Sequence, residues 1–210
     1  MTKKVYPVQQ FNQQDIELLS TERVYQGFFR LDKLTFRHRL HDGGWSGEVK
    51  REIYQRSDAV AVLALDVKRR EVVLIEQLRI GGTSSQHGPW LLECIAGMIE
   101  PGEQAEDVCR REAMEEAGLS IGRLHKALSY LSSPGGTTER LHIYIGEADL
   151  SHAGGVHGLD EENEDILVHR VPLDTAFEWL ESGRIDNAST VIALQWLALN
   201  QQQIIANWCD

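Results

Sequence analysis

Three stretches before residue 54, TERVYQGFFRLD, KLTFRHRL and GEVKREIYQR, have the β-branched and aromatic content of strands, with the turn-forming HDGGWSG between the second and third. They predict a small antiparallel β-domain over residues 1–54. From Asp58 the pattern shifts to buried strands, AVAVLALD and EVVLIEQLR, joined by the polar turn VKRR as a hairpin in a larger sheet, and WLLECIAG follows as another strand. A helix is predicted from about Gln104 to Ala117, with Val108, Arg111, Ala113 and Ala117 bounding its packed side and Gly118 where a left-handed cap is expected. HKALSYL, ERLHIYIGEA and DILVHRV supply further strands. PLDTAFEWLESG, with proline near its start and glycine after its end, and NASTVIALQWLALNQQQ close the chain as helices. Strands on both sides of a central helix predict an α+β or layered α/β/α sandwich over residues 55–210. Trp179 and Trp196 recur with leucines at helical spacing and read as core or dimer contacts. Trp90 reads as packing, with a pocket wall as the alternative.

Composition narrows the class of protein. A chain of 210 residues with 42% hydrophobic content can bury a full core. The longest apolar run, Ala59 to Leu65, is far short of the roughly 20 residues of a membrane span, and the first ten residues lead into polar FNQQDIE, so no membrane association is expected. Cys94, Cys109 and Cys209 form no CxxC pair and leave one cysteine over, which points to a reducing, cytoplasmic setting. A net charge of -11 disfavours a nucleic-acid groove, since only KRR at 68–70 clusters visibly. A polyanionic substrate would have to be met by metal ions and a few placed arginines. His41, His87, His125, His152 and His157 read as surface residues of polar loops.

The candidate chemistry lies in GMIEPGEQAEDVCRREAMEEAGL, residues 97–119, a glycine-punctuated turn feeding a helix. Glu112 and Glu116, four apart, share a face, and Glu115 lies beside them. In a cleft, like charges about 5 Å apart repel by about 3 kcal/mol per pair at an effective dielectric of about 20. A divalent cation reverses that sign, and carboxylates bind hard cations through oxygen. Glu103, distant in helical phase, reads as a structural partner of Arg111. The second unusual stretch is SHAGGVHGLDEENED, residues 151–165, where Gly154, Gly155 and Gly158 provide hinges before five acids in six residues. It reads equally as a solvated acidic loop or a functional one.

Together Gly97, Glu103, Arg111, Glu112, Ala113, Glu115, Glu116, Gly118 and Leu119 match G-x5-E-x7-R-E-U-x-E-E-x-G-U, which resembles the Nudix hydrolase box. The resemblance extends over nearly the full chain and is closest to the bacterial ADP-ribose pyrophosphatases. It is carried by YQGFFRLD (Phe28, Phe29), EVKREIYQR (Arg51, Glu52, Arg56), EQLR (Arg79) and SSPGGTTER (Ser133, Pro134, Gly135, Glu139), with Pro134 fifteen residues after Leu119. It implies a Nudix fold with a mixed β-sheet and a loop-helix-loop motif, and hydrolysis of ADP-ribose to AMP and ribose 5-phosphate. Two or three Mg2+ ions, with Mn2+ a possible substitute, would be held by Glu112, Glu116, Glu164 and the carbonyl of Ala96, with Glu115 less certain. Glu162 would act as general base, with Glu161 its nearest rival. Phe28, Phe29, Arg51, Glu52, Arg56, Arg79, Met98, Ser133, Pro134, Gly135 and Glu139 would contact substrate. A homodimer with exchanged N-terminal domains is implied. The rivals are a GDP-mannose or other nucleotide-sugar pyrophosphatase and a non-catalytic ADP-ribose binding module.

Overall fold

In the computed structural model, which describes residues 10–208 and only the backbone of Glu162, the first β-leaning stretch is broken at Gly27. The strand β1 (Ile16–Gln26) ends there, the Gly27 N–H donates to the Phe29 carbonyl at 2.9 Å, and β2 (Arg30–His38) returns antiparallel. TERVYQGFFRLD is therefore a hairpin and not one strand, and its end continues into KLTFRHRL. The cause is local: a Cβ at Gly27 would collide with the Tyr25 ring, so the turn forms where no side chain is present. β3 (Val49–Gln55) completes a three-stranded sheet in the order β1-β2-β3. Its one buried acid, Asp32, is paired with Arg23, which meets the usual requirement that a buried charge have a partner.

The first compact unit consists of residues up to Arg56 together with Ser133–Thr138. That distant hexapeptide is zipped to β3. Tyr54 N–H donates to Gly136 O at 2.8 Å, Thr138 N–H donates to Tyr54 O at 3.1 Å, and the Thr138 hydroxyl both accepts from Arg56 N–H at 2.9 Å and donates to Arg56 O at 3.0 Å.

The second unit, Ser57–Ser132 with the residues from Glu139 onward, is built on a strand buried on both faces. β4 (Ala59–Asp66) sends Ala61, Leu63 and Leu65 one way and Val60, Val62 and Ala64 the other, all buried, as the period of two dictates. Such a strand needs helices on both sides of its sheet. β5 (Glu71–Leu78) follows, then the short β6 (Trp90–Glu93) and β7 (Ile95–Met98), α1 (Ala105–Ala117), β8 (Leu124–Leu131), β9 (Arg140–Glu147), β10 (Gly155–His157), β11 (Ile166–Pro172), α2 (Leu173–Glu181) and α3 (Ala188–Trp208). One face packs Val72, Leu74 and Ile143 against Ala176, Leu194 and Leu197 of α2 and α3; the other packs Val73, Ile75 and Ile95 against Val108, Cys109, Ala113 and Ala117 of α1. The α/β/α sandwich is thus the fold.

The strand order is β10-β11-β5-β4-β9-β8, antiparallel except for β4 beside β9. β4 and β5 pair only at Leu65–Val72 and Asp66–Glu71, next to their turn. Beyond it they diverge, and the gap is filled by β6 on β5 and β7 on β4. WLLECIAG is therefore two strands that change partner at Cys94. At the change the buried Cys94 N–H loses its ladder partner and donates instead to Thr190 Oγ1 of α3 at 2.8 Å, while Asn187 Nδ2 donates to Leu92 O at 2.6 Å. Other departures are smaller. α3 runs on to Trp208, β10 forms within the glycine-rich stretch read as loop, Trp90 is half exposed, and His125 lies in β8 with its ring beside Trp196.

Thr190→Val keeps the shape of the side chain and removes the acceptor. The buried Cys94 N–H would then be unsatisfied, at a cost of about 1–3 kcal/mol. A lowered urea midpoint with an unchanged m-value is the expected result; an unaltered midpoint would mean the strand change is held by other contacts.

Candidate active site

The turn before α1 is closed by backbone geometry. Glu103 N–H donates to Glu100 O at 3.1 Å, Glu100 N–H donates back to Glu103 Oε2 at 2.9 Å, and Gly102 takes a φ of 96° that favours glycine. Gly118 ends the helix in the left-handed region at φ 63°, its N–H bonded to Met114 O at 3.0 Å. Between these ends the carboxylates sort by face. Arg111 gathers three of them: Nε donates to Glu103 at 3.3 Å, and Nη1 donates to Glu112 at 2.9 Å and to Glu115 at 3.0 Å. Glu116 turns inward, and its Oε2 accepts from Ala96 N–H of β7 at 3.0 Å.

The seat for these acids is a bare backbone. A Cβ built on Gly97 would overlap the Glu112 carboxylate, so glycine at that point lets α1 and its acids press onto β7. Burial has an electrostatic consequence. It pushes Glu116 up to about 8, with the neighbouring Glu112 and Glu164 carboxylates adding to the rise and Ala96 N–H and Arg79 opposing it. Glu112 is pushed up to about 7 for the same first reason, against the pull of Arg111. Among the described residues no three acidic, histidine or cysteine side chains close into a cage of metal-ligand dimensions. Each is turned to an internal donor, Glu164 to Leu159 N–H at 3.2 Å. The donor set nonetheless suits a hard divalent cation: carboxylate oxygens, with Glu116 buried, Glu112 half-buried and the two mutually repelling, and Glu164 near enough to raise both.

The acidic stretch is tethered to the far end of the same helix. Gly158 N–H reaches Glu115 O at 3.4 Å, and the His157 ring lies against Gly118, with Nε2 3.0 Å from Gly154 O. His157 is therefore a packed residue and not a surface one. Gly158 sits at φ 108°, and a Cβ there would strike Glu164. Asp160–Glu162 form a 3-10 turn; the Glu162 side chain lies outside the described residues, as does Cys209, while Glu161 is exposed.

The other predicted residues divide between the two units. In the first, Phe28 is 82% exposed at the hairpin tip and stands edge-on to Phe29 at 4.7 Å; Phe29 stacks near Tyr54 at 5.0 Å, and the Arg56 guanidinium lies 5.0 Å from the Phe29 ring centre. Arg51 and Glu52 are exposed neighbours on β3, and Ser133, Pro134 and Gly135 are exposed on the zipped hexapeptide. In the second unit are Arg79 just past β5, the exposed Met98 at the end of β7, and Glu139, whose carbonyl accepts from Ser132 N–H at 3.1 Å. Gln77 and Glu93, buried beside Arg79, belong to no motif of the sequence; the signal they give is a glutamine and a glutamate at inward positions of their strands.

Comparison with known proteins agrees with this geometry. A family model described as NUDIX domain matches residues 55–197. The chain is 54% identical over 198 residues to an ADP-ribose pyrophosphatase of Escherichia coli K12, covering 94% of this chain and 95% of that protein. It is 49% identical over 209 residues to one of Haemophilus influenzae, covering 98% and 96%. A GDP-mannose pyrophosphatase of Shigella flexneri is 34% identical over 197 residues, covering 89% and 97%. The crystal structure of an ADP compounds hydrolase superposes with a TM-score of 0.70 at 20% identity over 92% of this chain and 98% of that one, a likeness of fold.

The raised carboxylates make the metal-free protein sensitive to pH. Glu112 and Glu116 have folded values of about 7 and about 8 against an ordinary 4.5, so between those limits the folded chain holds more protons than the unfolded one, and stability falls as pH rises. In a chelator the urea midpoint should decline from about pH 5 to about pH 8.5, and Glu116→Gln should flatten the decline. A midpoint that rises over this range would contradict the burial of these acids.

Proposed function

This chain belongs to the Nudix family, and we propose that it hydrolyses ADP-ribose to AMP and ribose 5-phosphate in a reaction dependent on a divalent cation, Mg2+ in the first instance. The observation that carries the reading is the 49–54% identity to ADP-ribose pyrophosphatases over nearly the full length, joined to an unbroken set of box residues with Glu116 buried and Glu112 half-buried against β7. A binding module without activity leaves the mutual repulsion of Glu112 and the buried Glu116 without a role.

The residues that would hold the metal are Glu112, Glu116, Glu164 and the Ala96 carbonyl, with Glu115 as a further oxygen donor once released from Arg111. When bound, the cations would neutralise the diphosphate and make water a stronger nucleophile at neutral pH; two or three would serve, and Mn2+ could substitute. The chain's own groups do the rest. Arg111 holds the box carboxylates in place, as its bonds to Glu103, Glu112 and Glu115 indicate. Arg79, Arg51 and Arg56 offer forked donors to phosphate and ribose oxygens, and Phe28 and Phe29 an aromatic face to the purine. Glu52, Met98, Ser133, Pro134, Gly135 and Glu139 complete the substrate contacts. Glu162 takes the proton of the attacking water as its oxygen bonds to one phosphorus in line with the leaving phosphate oxygen, and the P–O–P bridge breaks.

We assign the first unit, with its zipped hexapeptide, to dimerisation and substrate contact, and the second unit to catalysis. Ile16, Leu18, Val24 and Tyr25 of β1 are exposed by 41–61%, an unusual apolar load for one strand, and this supports a homodimer with exchanged N-terminal units. Among the described residues no helix is long and apolar enough to cross a membrane. We place the protein in the cytoplasm, a reading supported by Cys94 and Cys109, free thiols that burial pushes up to about 12. The net charge of -11 speaks against a nucleic-acid partner.

A panel of ADP-ribose, GDP-mannose, NADH and diadenosine polyphosphates with Mg2+ should give the highest kcat/KM with ADP-ribose and release AMP. A preference for GDP-mannose would move the assignment to the 34% identical relative's activity. Glu162→Gln should lower kcat about 10²-fold or more with little change in KM. Unchanged turnover would transfer the base role to Glu161 or leave the work to a metal-bound hydroxide alone.

A further inference from the structure

Arg79 is held from behind by a buried acid. Ile75 lies opposite Glu93 across the β5–β6 ladder, so Gln77 and Arg79, at steps of two from Ile75, share the face on which α1 packs. There the Arg79 Nε donates to Glu93 Oε2 at 2.8 Å, and Gln77 Nε2 approaches the same oxygen at 3.4 Å. The Glu93 side chain is 11% exposed and the Arg79 side chain 45%, so the acid sits inside and the guanidinium leans out. Among the described residues that guanidinium makes no other hydrogen bond, and it is close enough to Glu116 to favour its charged form.

The strand beneath Glu93 is fixed on both sides. Leu92 O and Cys94 N–H, its flanking backbone groups, are bonded to Asn187, just before α3, and to Thr190 in it. Burying a carboxylate here strips its water, and a half-exposed ion pair gives little in return. An apolar residue would fill the space at lower cost if stability alone were at issue. A planar guanidinium tied at Nε can no longer rotate freely, and it presents its two terminal nitrogens in one direction.

Building on the reading of Arg79 as a phosphate contact, we propose that Glu93 is a positioning residue of the hydrolysis: it takes the Nε of Arg79 and so aims the paired terminal nitrogens at the diphosphate, with Gln77 steadying the carboxylate. Among the described residues the Glu93 carboxylate is hydrogen-bonded to Arg79 and Gln77 and to none of Glu112, Glu115, Glu116 or Glu164. Its loss should therefore appear in substrate affinity and not in the metal requirement.

The test is a double-mutant cycle on the full-length enzyme with ADP-ribose and saturating Mg2+. Arg79→Ala should lower kcat/KM by about 10- to 100-fold, the range for losing hydrogen bonds to a charged group. Glu93→Gln, nearly isosteric, should lower it about 5- to 20-fold, mainly through KM, with an unchanged Mg2+ titration. Added to Arg79→Ala, Glu93→Gln should cost less than about 2-fold more, because its target is gone. If the Glu93→Gln loss persists in full in the Arg79→Ala background, or appears as a shifted Mg2+ titration, the positioning role is overturned while the phosphate role of Arg79 stands. If Arg79→Ala is as active as wild type, both roles fall and ADP-ribose hydrolysis stands. Should Glu93→Gln prove unfolded in urea titration, Gln77→Met carries the same cycle at a smaller amplitude of about 2- to 5-fold, and additivity there is equally decisive.

Discussion

The site depends on how closely α1 can approach β7. Gly97 has no side chain, so the Glu112 carboxylate occupies space that a Cβ would fill, and one step earlier Ala96 turns its N–H to Glu116. That contact removes two acids from water next to each other, which no isolated helix would do. The surrounding structure compensates from two sides. Val108, Cys109, Ala113 and Ala117 anchor α1 to the sheet with apolar contact, and Arg111 supplies one positive charge to three carboxylates. One guanidinium cannot neutralise the whole group, and the remaining negative charge in a poorly solvated place suits the site to a hard cation.

The same helix organises the acidic segment. Its last turn is touched from outside by Gly158 and His157, and Glu164 stands close enough to raise both Glu112 and Glu116. The flexible-looking glycines are thus paired with fixed contacts. Three glycines allow the chain to turn, and two contacts on α1 determine where the turn delivers its acids. Behind Arg79, the backbone on either side of Glu93 is tied to Asn187 and Thr190 at the start of α3.

Much of this was legible in the sequence because it is written in short periods. The alternation of Ala59–Leu65 demanded a strand covered on both faces, and the four-residue spacing of Glu112 and Glu116 placed both on one side of a helix capped at Gly118. What escaped depended on partners far away in the chain. WLLECIAG looked continuous because the change of partner at Cys94 is made by Thr190, 96 residues later. TERVYQGFFRLD looked like one strand because aromatic content outweighed a single glycine. Glu93 and Gln77 gave no motif, only polar residues at inward positions, and their sense appears only when β5 and β6 are laid side by side. His157 stands in a polar stretch, and only the fold brings its ring against Gly118.

The hexapeptide Ser133–Thr138 gives the first unit a discontinuous pedigree. A fragment cut after Arg56 would keep every strand of its sheet yet leave the Tyr54 N–H and carbonyl, and the Arg56 backbone, stripped of the partners that Gly136 and Thr138 provide. The bared rim of β3 would be a sticky edge. Gene fusions, circular permutants and excised modules of this architecture must therefore treat residues 133–138 as an inseparable splint of the amino-terminal sheet, even though sequence position assigns them to the other half.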